Sequence, residues 1–174
     1  IMTPKKIIDG FGNDVNKDSV LWNNIKANIS LNNSATFDSE NNITGGNSID
    51  RAVLSLVNPE TYVDIQEKYP VKLKQVFNSS NKYSAFTTKD GVTYYKGAPE
   101  KLIEHCTKVM NSSGEIVENS DKNALNNAIT AMTSNAMRCI AVTMADGDLV
   151  ENEIPNGMTF LGIIGVVDPV RDEV

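Results

Sequence analysis

The residues best placed to do chemistry are Lys96-Gly97-Ala98-Pro99-Glu100. Lys96 ends the run Tyr94-Tyr95-Lys96, which reads as a strand. The glycine after it carries no side chain, so a ligand could approach the backbone closely there. Pro99 suits the first turn of a helix, and the free N–H groups of a helix start favour negative charge nearby. A lysine held at such a junction can meet a phosphate or the edge of a purine. It can equally be a solvated lysine at a hairpin end. Two other stretches carry compatible chemistry. Phe77 precedes Lys82 by five residues, and an aromatic face beside lysines suits a nucleobase, whose stacking contributes roughly 1–3 kcal/mol in nucleic-acid complexes. On residue type alone Phe77 reads as core. Arg138, at the head of Arg138-Cys139-Ile140-Ala141, can make charge-assisted bonds to a phosphate or pair with a surface carboxylate.

Other chemistries find no support. The sequence contains no GxxxxGK[ST] phosphate loop, and Gly10-Phe11-Gly12 is a bare GxG without a third glycine. His105 is the sole histidine and no G-x-S-x-G elbow accompanies it. Cys106 and Cys139 have no metal-like spacing, and His105 beside Cys106 reads as packing at a helix end. No catalytic residue and no metal site is therefore expected within the chain. A disulfide scaffold is not expected either, which favours a reducing cytosol.

The elements that must position these residues follow from pattern. Residues 1–16 read as an opening strand and a turn, and Asp18 or Ser19 caps a helix to about Asn33. A polar, asparagine-rich loop then leads to Asn47. A helix starts near Ser48 and another at Pro59. A strand runs from Val71 to Phe77. Asp90-Gly91 joins two strands in a hairpin, and Pro99 opens a helix to about His105. A second hairpin turns around Asn111 to Gly114. Ser120 or Asp121 caps a helix to about Asn135, with Ala124, Leu125, Ala128, Ile129 and Met132 as its apolar stripe. Buried strands at Cys139–Met144 and Phe160–Val167 close the pattern. The expected fold class is α/β, a mainly antiparallel sheet flanked by helices.

Composition sets the outer bounds. A chain of 174 residues with 40% hydrophobic and 22% charged content suffices for one compact domain. A net charge of −6 argues against general nucleic-acid binding. No apolar run approaches the ~20 residues that span a bilayer, and no signal peptide is visible. The start at Ile1 and the stop at Val174 inside a patterned segment suggest an excised piece of a longer protein.

Five stretches, in order, resemble motifs of the nucleotide-binding domain of P-type cation-transporting ATPases. Gly46-Asn47-Ser48-Ile49-Asp50-Arg51-Ala52-Val53-Leu54 resembles G-[ND]-P-[ST]-[ED]-x-A-[LI]-L. Phe77 to Ser84 resembles F-[DNS]-S-x-x-K-x-[MQS]. Lys96 to Glu100 matches KGAPE unchanged. Arg138 to Ala141 resembles R-[VC]-[LI]-[AG], and Phe160 to Val174 resembles F-L-G-[LM]-[VI]-G-[ML]-x-D-P-[PV]-R-x-E-V. The resemblance implies an ATP site in which Asp50 accepts from the adenine amino group and Phe77 stacks on the ring. Lys82, Lys96 and Gly97 line the pocket, and Arg138 reaches the ribose and phosphates. It further implies a nucleotide-binding domain over residues 1–166, with 167–174 forming the hinge (Asp168 and Arg171) to a phosphorylation domain. The phosphorylated aspartate, the actuator domain, most Mg²⁺ ligands and the membrane helices would lie elsewhere in the same protein. That protein would be an ion-translocating ATPase of the calcium or sodium/potassium type, calcium by preference, with this domain on the cytoplasmic side of the cell membrane. Ser48-Ile49 and Asn81 depart from the pattern. They leave room for an alternative, an interaction module of the same fold that no longer binds nucleotide, whose pocket would be filled by side chains.

Overall fold

A computed structural model describes residues 1–119 and 121–168. Its centre is an eight-stranded sheet ordered β4-β5-β6-β9-β10-β7-β8, with β1 also paired to β10. The strands are β1 (Thr3–Ile8), β4 (Val71–Gln75), β5 (Tyr83–Thr88), β6 (Val92–Gly97), β7 (Cys106–Met110), β8 (Ile116–Glu118), β9 (Arg138–Asp146) and β10 (Met158–Val167). A separate hairpin joins β2 (Ala35–Phe37) to β3 (Ile43–Gly45). The helices are α1 (Val20–Leu31), α2 (Ser48–Leu54), α3 (Pro59–Lys68), α4 (Pro99–Leu102) and α5 (Asn123–Ser134). A single 3₁₀ turn, Ile103–His105, extends α4. Every pairing in the main sheet is antiparallel except β7 with β10. β10 is long enough to carry β7 along its start and β1 along its remainder on one edge, opposite β9.

Strand alternation sends neighbouring residues to opposite faces, and each face has its own core. On one side Phe86, Tyr94, Val142 and Ile164 pack against Leu21, Ile25 and Ile29 of α1, Val53 and Leu54 of α2, and Tyr62 and Ile65 of α3. On the other, Tyr83, Tyr95, Ala141 and Ile163 meet Leu102 of α4 and Leu125 and Met132 of α5. The helix starts are chemically marked. Ser19 Oγ accepts from the Trp22 N–H at 3.1 Å, and Asn58 Oδ1 accepts from Thr61 N–H at 2.8 Å ahead of Pro59. Asn28 of α1, Asn32 at its C-cap and Asn33 just beyond are buried in the contact with the sheet and with α2. Asn28 donates to the carbonyls of Tyr95 (3.0 Å) and Thr143 (3.2 Å), and Asn32 to those of Ser84 (3.1 Å) and Tyr94 (3.3 Å). Asn33 donates to the Asp50 carbonyl at 3.1 Å. These amides fix the height of α1 over β5, β6 and β9 and tie it to α2.

Four local expectations need correction. The asparagine-rich segment contains the β2–β3 hairpin, whose turn is closed by Asp38 accepting from the N–H groups of Glu40 and Asn42, both at 2.9 Å. Its strands are three residues each and only Ala35 is buried, so no alternation could show. β4 ends at Gln75, before Phe77. Asn78 takes the N–H of Asn81 on its side chain and that of Lys82 on its carbonyl, which curls the chain off the ladder. The α5 helix begins at Asn123 with Lys122 at its cap position and no side-chain cap bond. Asp121 lies one residue too early, accepting from Asn123 N–H at 2.9 Å, and Ser120 falls outside the described residues. Of the α5 stripe, Leu125 and Met132 are buried, Ala128 and Ile129 are half-buried, and Ala124 is exposed.

Candidate functional site

Four segments converge on one cleft of about 410 Å³: the start of α2, the β4–β5 loop, the corner from β6 into α4, and the first residues of β9. All of Asp50, Phe77, Lys82, Lys96, Gly97 and Arg138 line it. Its volume lies in the range of about 300–1,000 Å³ typical of small-molecule sites. The side chains of Ile49 and Asn81 do not close it.

Asp50 is held by the helix it helps to start. Asn47 caps α2 by accepting from Asp50 N–H at 2.8 Å, and Asp50 Oδ2 accepts in return from Asn47 N–H at 3.2 Å. This is a reciprocal capping box between Asn47 and Asp50, and it forms with Ser48-Ile49 between them where the motif has Pro-[ST]. The other carboxylate oxygen, Oδ1, stands 3.7 Å from Lys96 Nζ. Lys96 is only 6% exposed although it carries an ammonium. Burial pushes its pKa down, Asp50 opposes that shift, and the like charge of Lys74 adds to it. The Asp50–Lys96 pair thus lines the cleft largely desolvated.

Gly97 has a steric cause nearer than any ligand. A Cβ there would sit 2.3 Å from the Lys82 carbonyl oxygen and 2.6 Å from Tyr83 Cα. The glycine lets the end of β6 pass the start of β5, and Ala98 N–H then donates to the Lys82 carbonyl at 3.0 Å. Lys82 itself adopts φ +60°, in the left-handed region that few non-glycine residues enter. The Asn78 turn holds it there, and its exposed side chain reaches the cleft rim. Phe77 is 47% exposed; the core assignment suggested by its type does not hold. Arg138 is exposed at the head of β9, and no carboxylate among the described residues pairs with it. Across the ladder it faces Val166, and β10 ends one residue later beside Thr3. Asp168 is exposed just beyond that end, and Arg171 lies outside the described residues.

Sequence reasoning gave Ser79 and Lys74 no role and took Ile49 only as a departure from the motif. Ile49 and Ser79 line the cleft. Ser79 stood inside a recognised motif without a role, and Ile49 could not be told from core because it also packs against it. A larger groove of about 780 Å³ between α4 and α5 meets the cleft at Ala98, Arg138 and Cys139. Among the described residues it holds no buried ion pair: its Glu100 and Glu104 are exposed, and Lys122 donates to the Ile103 carbonyl at 2.8 Å. His105 pairs through Nδ1 with Asn156 Oδ1 at 2.7 Å. Among the described residues no three His, Cys, Asp or Glu come together as metal ligands.

The Lys96 shift has a measurable consequence. Its pKa is lowered from 10.5 in the folded protein, so the unfolded chain binds more protons between the lowered value and 10.5. Stability from this group then rises with pH across that window. The difference in unfolding free energy between wild type and Lys96→Met is expected to shift in favour of wild type as pH climbs towards 10.5, with other alkaline titrations cancelling in the difference. Urea unfolding at a series of pH values checks this; a flat or opposite trend would mean that Lys96 is not desolvated.

The sequence profile described as "P-type ATPase, cytoplasmic domain N" matches residues 21–173. The chain belongs to that family. It is 30% identical over 144 residues to calcium-transporting ATPase 7, plasma membrane-type, of Oryza sativa subsp. japonica, covering 74% of this chain and 14% of the rice protein. It is 29% identical over 154 residues to calcium-transporting ATPase 1 of Saccharomyces cerevisiae, covering 82% of this chain and 16% of the yeast protein. Calcium-transporting ATPase 1 of Bacillus cereus is 28% identical over 119 residues, 64% of this chain and 13% of that protein. The chain thus spans a small part of the curated relatives it matches. No helix among the described residues is long and apolar enough to cross a membrane.

Proposed function

We propose that this domain binds ATP in the Asp50–Phe77–Lys96 cleft, as the nucleotide-binding part of an ion-translocating P-type ATPase. The observation that carries the reading is the convergence, from four separate segments, of an exposed aromatic ring, a desolvated Asp–Lys pair and two exposed cations. In this reading the adenine ring stacks on Phe77, and Asp50 Oδ1 accepts from its amino group. Lys96 pairs with that carboxylate and lies against the base. Lys82 and Arg138 offset the phosphate charge, which the domain's net charge of −6 would otherwise repel.

The domain itself supplies binding and orientation. Mg²⁺ neutralises phosphate charge in such transfers and would be held mostly by a phosphorylation domain of the same protein. The γ-phosphate would pass to an aspartate there, giving an aspartyl-phosphate. Residues 1–166 would form the binding domain, with Asp168 and Arg171 in the hinge leading to the phosphorylation and actuator domains. The place of work would be the cytoplasmic face of the cell membrane, and the transported ion calcium, following the names of the relatives. Saturation-transfer NMR with ATP tests the binding step: transfer to the adenine H2 and H8 protons is expected, and none at several millimolar ATP would defeat the reading.

A further inference from the structure

We infer that Asn152 is a positioning residue for the aromatic loop of the cleft, clamping both ends of the β4–β5 connection that carries Phe77, Ser79 and Lys82. The inference rests on the nucleotide-binding reading above. Little burial holds this loop: Val76 is 63% and Phe77 47% exposed. Inside the loop, Asn78 organises the turn through its bonds from Asn81 N–H (2.7 Å) and Lys82 N–H (2.8 Å). From outside, Asn152 reaches both flanks at once. Its backbone N–H donates to Gln75 Oε1 at 2.8 Å, at the end of β4, and its Oδ1 accepts from Asn81 Nδ2, at the far side of the loop.

The clamp is itself anchored. The connection between β9 and β10 detours across β6, β5 and β4 instead of turning directly. Thr93 Oγ1 donates to the Gly147 carbonyl (2.6 Å), Lys72 pairs with Asp148 (2.7 Å), Leu149 N–H donates to Thr87 Oγ1 (3.0 Å), and Tyr83 OH donates to the Glu153 carbonyl (3.2 Å). Asn152 lies between the last two anchors with φ +62°, a left-handed conformation that Asn, Asp and Gly accept most readily. Asn81, one of the departures from the motif, is therefore committed to a structural partner, and it is not among the residues that line the cleft.

Two substitutions separate the side chain from the backbone. Asn152→Gly keeps the left-handed backbone and the Gln75 bond but deletes the acceptor for Asn81, whereas Asn152→Asp keeps an acceptor. In the wild-type domain and both variants, the Kd for ATP, the urea midpoint and the amide shifts of Asn78 to Lys82 would be measured. Asn152→Gly is expected to bind ATP about three- to tenfold more weakly, the size of one net hydrogen bond. Its midpoint should stay unchanged and its ligand-free loop amides should shift. Asn152→Asp should stay within about twofold of wild type, since its acceptor is retained. In a Phe77→Ala background Asn152→Gly should add little, because both act through one stacking contact. Wild-type affinity in Asn152→Gly, equal loss in both variants, or full additivity with Phe77→Ala would overturn the inference. If the wild-type domain itself binds no ATP, the nucleotide reading fails instead, and unshifted loop amides in ligand-free Asn152→Gly would still overturn the clamp.

Discussion

Gly97→Ala is expected to lower the unfolding free energy by about 3 kcal/mol, the upper end of the usual cost of overpacking. The methyl group would meet backbone, 2.3 Å from the Lys82 carbonyl oxygen and 2.6 Å from Tyr83 Cα, and no rotamer change relieves that. The end of β6 must separate from the start of β5, breaking the Ala98 N–H bond to Lys82. Lys82 and Lys96, on either side of the clash, then lose their relative position. ATP binding should fall with stability. Urea unfolding measures the first effect and titration at a temperature where the variant remains folded measures the second. A loss below about 1 kcal/mol, within the range of an ordinary point substitution, would show that the two strand ends separate freely and that Gly97 does not set the cleft.

Phe77→Ala should act in the opposite proportion. The ring is 47% exposed and lies outside any strand, so stability should change by no more than about 0.5 kcal/mol, as for surface substitutions generally. Its proposed role is to stack on the adenine, and deleting an aromatic platform costs about 1–3 kcal/mol per base. ATP affinity should therefore drop by roughly 5- to 150-fold, while affinity for inorganic tripolyphosphate stays near its wild-type value. Phe77→Trp should retain most of the binding. Equal losses for ATP and tripolyphosphate would indicate that the ring supports the loop and does not contact the base.

Much of the fold was legible because its signals are local. Asp90-Gly91 marked the β5–β6 hairpin, Pro59 and Pro99 marked helix starts, and the apolar runs near Cys139 and Phe160 became β9 and β10. The β2–β3 hairpin was not legible, since strands of three residues with one buried position leave no periodic trace. The buried amide of Asn28 on α1 carries no local signal: only the carbonyls of Tyr95 and Thr143, distant in sequence, explain why it belongs there. The nucleotide-site residues were named by type and motif, and Asp50, Phe77, Lys82, Lys96, Gly97 and Arg138 all line one cleft, whereas Asp168 lies beyond the end of β10. What the sequence could not supply was their pairing. That Asp50 both caps α2 and faces Lys96, and that Gly97 clears Lys82, are consequences of tertiary approach. The clasp from Asn152 to Asn81 spans 71 positions, and neither residue carries a local signal for it.

The most direct test of the account is an amide chemical-shift titration of the domain with ATP. The amides of Asp50, Phe77, Lys82, Lys96, Gly97 and Arg138 should move together along one saturable curve, while those lining the α4–α5 groove away from Ala98, Arg138 and Cys139 stay in place. Unchanged spectra at several millimolar ATP, or shifts centred on that groove with Phe77 and Asp50 unmoved, would contradict it.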